Sequence, residues 1–221
     1  MSELGPAMNV FRELIVTAPD AQVKAFADAL GLAPLDGWKR DAIAESQARA
    51  FPLSDVAFCF SCSQSEFRQS AMLFLTRKTP GRYVVTNIVP VERFQLTRSE
   101  YNGILENFIE NVARPLANKF GLEIEMTSSQ AGLETWLSRD AAEKLRQFSQ
   151  SANKGTGASH PLDRKRWNAF VLSANDEKNR LDASTLMRWL IEVEGWSRDV
   201  AEQLATEYEY GLELLAARGG V

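Results

Sequence analysis

The chain has 221 residues, of which 45% are hydrophobic and 24% charged, with a formal net charge of -4. That length can bury one large core or two small ones, and the ordinary composition excludes a disordered or fibrous class. The acidic balance argues against a general nucleic-acid or membrane-surface binder, which is normally basic.

The opening MSELGPAMNV has neither a basic n-region nor an apolar h-region, so no signal peptide is expected. No apolar run approaches the roughly 20 residues that span a bilayer. Two cysteines cannot supply a disulfide framework for this length. These features together point to a cytoplasmic protein.

From 9 to 17, NVFRELIVT is apolar on both alternations and predicts a strand covered on both faces. Pro19 and Asp20 open a helix with Val23, Phe26, Ala27 and Leu30 at helical spacing and Gly31 as its C-cap. Residues 32–53 are punctuated by Pro34, Gly37 and Pro52, with a short helix over 41–50. DVAFCFSCS reads as a strand with Val56, Phe58 and Phe60 on one face. AMLFLTRK and RYVVTNIV, joined by Thr79, Pro80 and Gly81, predict a hairpin.

Thr97 to Glu100 spells a capping box before the stripe Tyr101, Ile104, Leu105, Phe108, Ile109, Val112 and Leu116. Pro115 should kink or split this helix, because it removes a donor and crowds the preceding turn. Gly121 stops it, and LEIEM is the last strand. After the polar joint TSSQAG, everything reads as helix. Asp140 to Glu143 resembles a capping start, with Leu137, Leu145 and Phe148 facing inward. Pro161 opens the next helix, which carries Trp167, Phe170 and Val171. Asp182 caps a third, with Leu186, Trp189, Leu190 and Val193, ended by Gly195. Ser197 caps the last, with Val200, Leu204, Tyr208, Leu212 and Leu215. The pattern predicts an α+β fold: an N-terminal mixed α/β-sheet domain over 1–128, with a β-hairpin and a long amphipathic helix, then a C-terminal all-α helical domain over 129–221.

Four features bear on chemistry. CFSC at 59–62 matches C-x-x-C, but a spacing of three within a strand puts the sulfurs on opposite faces. One histidine and two cysteines also fall short of the four ligands of a zinc site. Core cysteines are the better reading, and no metal or cofactor is expected. The stretch 181–210 has helix-turn-helix character, but residues 192–213 hold Glu192, Glu194, Asp199, Glu202, Glu207, Glu209 and Glu213 against Arg198 alone. Phosphate neutralisation cannot come from such a face, so charge argues against DNA. Trp136, Trp167, Trp189 and Trp196 crowd the helical part and read as core rather than as an aromatic cleft.

The stretch SANKGTGASHPLDRKRW, 151–167, is the fourth feature. Gly155 and Gly157 would let the amides of Asn153 to Ser159 converge on an anion, with Lys154 supplying charge and Thr156 and Ser159 hydroxyls. The helix from Pro161 would aim its positive end there, with Arg164 and Arg166 assisting. His160 and Asp163 are the catalytic candidates of that reading. The order matches neither a P-loop nor a dinucleotide fingerprint, and a turn between helices needs the same residue types. Lys154, Arg164, Lys165 and Arg166 against Asp163 form a basic block facing the acidic one. The two either neutralise each other or present a face to a partner protein.

The leading expectation is a non-enzymatic regulatory or protein-interaction protein that acts through its helical C-terminal domain, with another protein as partner. The alternative is an enzyme or binding protein for a small phosphorylated or nucleotide-like anion at 153–160. No complete catalytic set is present in the sequence to decide whether a reaction occurs.

Overall fold

The computed structural model describes residues 6–50, 55–63, 70–92, 95–175 and 181–219; the expected breaker Pro52 lies outside them. The fold is α+β, in two compact units: Val10–Ser129, and Gln130–Val221 together with the segment that ends at Asn9.

The expected strand over 9–17 is two strands. β1, Met8–Asn9, pairs antiparallel with Gln130–Ala131 of the helical unit, and β2, Leu14–Thr17, lies inside the main sheet. Side chains satisfy the backbone between them. Asn102 accepts from the Arg12 N–H (2.8 Å) and donates to the Val10 carbonyl (3.0 Å), so this stretch needs no ladder.

Helix α1, Asp20–Leu32, buries Val23, Phe26, Ala27 and Leu30 as spaced. Gly31 is not its cap. The helix runs through it to Leu32 and ends on Ala33, ahead of a tight turn in which Asp36 and Gly37 both have positive φ. That turn leads into β3, Trp38–Arg40, a strand too short to show alternation in the sequence. Asp41 then caps α2, Ala42–Arg49, by accepting from the Ala44 N–H.

β4 (Val56–Cys62), β5 (Ala71–Thr79) and β6 (Arg82–Pro90) follow. Thr79 pairs with Arg82, so the Pro80–Gly81 hairpin is formed. The capping box of Thr97 and Glu100 starts α3, Arg98–Phe108. A π turn over Ile109–Ala113 leads to α4, Arg114–Phe120, and Gly121 ends α4 in the left-handed region. The wide turn directly precedes Pro115: the Arg114 N–H donates to the Ile109 carbonyl, five residues back, where the proline would disturb the ordinary ladder. β7, Glu123–Met126, completes a six-stranded antiparallel sheet of order β3-β4-β5-β6-β2-β7. Its core joins Leu14, Val16, Phe60, Leu73 and Val85 of the sheet to Phe26, Leu105, Phe108 and Val112 of the helices.

Beyond β3 the margin of the sheet is closed by side chains from α2. The Cys59 N–H donates to the buried Glu45 carboxylate (3.1 Å), its carbonyl accepts from the Asp41 N–H (2.9 Å), and Arg49 donates to the carbonyls of Val56 and Ala57. Cys62 packs in the main core while Cys59 is buried on the other face, as the odd spacing requires. Burial, reinforced by Asp41 and Glu45, pushes the Cys59 thiol up to about 12. Such a thiol carries almost no thiolate at neutral pH.

The helical unit opens with β8, Gln130–Ala131, and a 3-10 turn, Leu133–Thr135. It continues with α5 (Arg139–Ser151), α6 (Pro161–Asn175), α7 (Ala183–Glu192) and α8 (Arg198–Gly219). The cap of α5 is Ser138, which accepts from the Ala141 N–H, rather than the acidic stretch after it; Asp140 instead holds Lys144 and Ser173. Trp167, Trp189 and Trp196 are buried and Trp136 half-buried. Phe148 stacks on Trp196 and Phe170 on Tyr208, so these aromatics are the core of the unit.

Candidate functional site

In the helical unit, residues 153–160 join α5 to α6. Asn153 organises the turn. Its side-chain oxygen accepts from the Gly155 N–H (2.8 Å), and its carbonyl accepts from the N–H groups of Thr156 (3.1 Å) and Gly157 (2.9 Å). Three of the amides that a phosphate would require are therefore turned onto Asn153.

Gly157 has φ of 63°, and a Cβ there would lie 3.2 Å from Val200 Cγ1, so glycine is demanded both by conformation and by packing against α8. Ser159 and His160 are exposed. His160 occupies the cap of α6: its carbonyl accepts the first helical bond, from the Arg164 N–H, and its Nδ1 accepts from the Leu162 N–H at 3.3 Å.

Three basic residues of the stretch have partners within the unit. The Lys154 ammonium donates to the Glu194 carbonyl. Arg164 pairs with Glu207 of α8 at 2.5 Å, and Arg166 with the buried Asp163 three residues back at 2.9 Å. Arg164 and Glu207 thus join the basic and acidic blocks across the α6–α8 contact. Glu194 is a hub that the sequence did not reveal. It accepts from Ser149 (2.8 Å) and from the Trp189 indole (3.4 Å), while Ser149 accepts from the Trp196 indole (2.7 Å). The geometry brings together Lys154 with Glu194 and Arg166 with Asp163. It does not gather His160, Lys154 and the amides around one point.

The outer face of α8 has the opposite character. Ala201, Leu204, Tyr208 and Leu212 face inward, while Tyr210 and Leu214, one turn apart, are 63% and 73% exposed. Glu202, Glu209 and Glu213 are exposed on the same outward side, and none of them is in an ion pair among the described residues. α6 crosses α8 closely at Gly211, where a Cβ would come within 2.8 Å of Val171 Cγ1. The next residue on α6, Leu172, is 56% exposed. The sequence signal was present: an aromatic and a leucine at i and i+4, off the buried stripe.

The sheet unit holds a cleft of about 580 Å³, floored by Val85 and Ile88 and rimmed by Phe11, Asn87, Gln95 and Tyr101. Burial, and then the charge of Glu13, push the Tyr101 phenol up to about 12, so it stays a neutral donor at physiological pH. Among the described residues, no group of three or more His, Cys, Asp or Glu side chains is placed to hold a metal ion, and no helix is long and apolar enough to cross a membrane. No protein-family profile matches the chain, and neither the curated proteins nor the solved structures give a significant match.

Proposed function

We propose that the protein is a non-enzymatic interaction or regulatory protein that engages another protein through the outer face of α8. The observation that supports this reading most is the exposure of Tyr210 and Leu214 on a helix whose remaining large apolar side chains point mostly inward. A single exposed apolar side chain is ordinary, but two adjacent on one face, flanked along one side by glutamates that are in no ion pair among the described residues, resemble a small anchor with a polar edge. Tyrosine supplies rigid contact area at low conformational cost. Glu202, Glu209 and Glu213 repel one another, and a partner bearing lysine or arginine around an apolar stripe would relieve that repulsion. A basic amphipathic helix has this chemistry.

The test is recovery of a partner from extracts of the native host by wild type, by the double variant Tyr210→Ser/Leu214→Ser, and by Lys154→Ala. A protein retained by wild type and Lys154→Ala but lost from the double variant is expected. Identical recovery by all three would contradict the proposal. Both substituted side chains are exposed, so the double variant should unfold within about 0.5 kcal/mol of wild type.

A further inference from the structure

The two margins of the six-stranded sheet are finished differently. On the β3 side, the strand is three residues long, Leu35 takes the outward N–H and C=O of Trp38 (2.9 Å each), and Asp41, Glu45 and Arg49 take the backbone groups of β4 beyond it. On the other side β7 ends the sheet, and among the described residues no strand pairs with its outer edge. From this we infer that β7 is a docking edge for an extended, basic segment of another polypeptide, which would add a seventh strand.

The register specifies what is presented. The Thr127 N–H donates to the Glu13 carbonyl (3.0 Å), so Thr127 bonds toward β2. Antiparallel alternation makes Glu125 and Glu123 do the same, opposite Ile15 and Thr17. The N–H and C=O groups of Ile124 and Met126 therefore point outward, offering two donors and two acceptors to a new strand.

Side chains select the partner. Ile124 and Met126 are half-buried against the core, so positions opposite them favour apolar residues. Glu123 and Glu125 are exposed on the other face and are in no ion pair among the described residues, so positions opposite them favour lysine or arginine. A second copy fits poorly. β7 against β7 would set Glu123 and Glu125 across from their own equivalents, and like charges directly opposite each other repel. The glutamates that keep the edge from pairing with itself also define its complement, an alternating basic and apolar strand.

The test uses the full chain with a fluorescent hexapeptide of alternating lysine and valine, its glutamate–valine counterpart, and a lysine–valine peptide N-methylated at alternate amides, followed by anisotropy and by amide shifts of residues 123–126. The lysine peptide should bind and move the Ile124 and Met126 amides. The N-methylated peptide should not bind. Glu123→Lys/Glu125→Lys should weaken the lysine peptide about tenfold and make the glutamate peptide the better ligand, since two cross-strand pairs change sign. Absence of binding at millimolar peptide, binding indifferent to N-methylation, or shifts mapping elsewhere would overturn the inference. So would a concentration-dependent dimer protected at β7, which would place a second copy there. The N-methyl comparison reads the wild-type protein alone, so it decides even if the double variant misfolds.

Discussion

Two regions of the helical unit, the 153–160 turn and the outer face of α8, differ in how far folding uses up their polar and apolar groups. The turn holds more donors than a turn requires, yet Asn153 takes the amides of Gly155, Thr156 and Gly157, and the Glu194 carbonyl takes the Lys154 ammonium. The acidic block of α8 reads as either neutralised by the basic one or offered to a partner; among the described residues Glu202, Glu209 and Glu213 are in no ion pair, and Tyr210 and Leu214 stay exposed. What a site can bind depends on the groups that folding leaves unspent, and composition counts groups before they are spent.

The largest effect that could break this comparison is at Gly157. Valine there adds left-handed strain to a close approach to Val200 and should lower stability by about 2 kcal/mol or more, as measured by chemical denaturation. A much smaller cost would mean that the turn is not packed as described. Next comes Asn153→Ala, which orphans the Gly155 amide and should cost about 1 kcal/mol, whereas Lys154→Ala should cost less than about 0.5 kcal/mol. If the turn were an anion cradle, lysine loss would instead weaken stabilisation by added phosphate, so thermal melts with and without phosphate sharpen the contrast.

The smallest effect separates paired from unpaired acids. The Arg146 guanidinium, bonded at 2.7 Å, holds the Glu134 carboxyl below the usual carboxylate range. A carboxyl depressed in the fold adds stability that is complete above its unfolded pKa, about 4.3, and is lost as pH falls through the lower folded value. Glu134→Gln should therefore be less stable than wild type at pH 7, by at most about 1 kcal/mol because the pair is partly exposed, with the gap closing below about pH 4. Glu209→Gln, which breaks no ion pair among the described residues, should stay within about 0.5 kcal/mol of wild type at pH 7.

The elements that could be read from the sequence are those whose own residues dictate them. The Thr97 capping box, the Pro80–Gly81 hairpin and the 3.6-residue stripes of the later helices each need only local chemistry, and each is present. A distant partner decides one misreading: Asn102 bonds the backbone between β1 and β2 from 90 residues away. Two others are local, where Ser138 outcompetes Asp140 as a cap and α1 runs through Gly31 to Leu32. The opposed burial of Cys59 and Cys62 follows from strand alternation alone. The hub at Glu194 was invisible because its partners Ser149 of α5, Lys154 of the turn after it and Trp189 of α7 meet only once the unit has packed.

The most direct test of the central claim places a photo-cross-linking residue at position 210 in one sample and at position 156 in another, irradiated in extracts of the native host. A protein captured from position 210, absent when Leu214 is serine and absent from position 156, is the predicted result. Capture from position 156 with none from position 210 would contradict the account and favour the alternative, a site at the 153–160 turn.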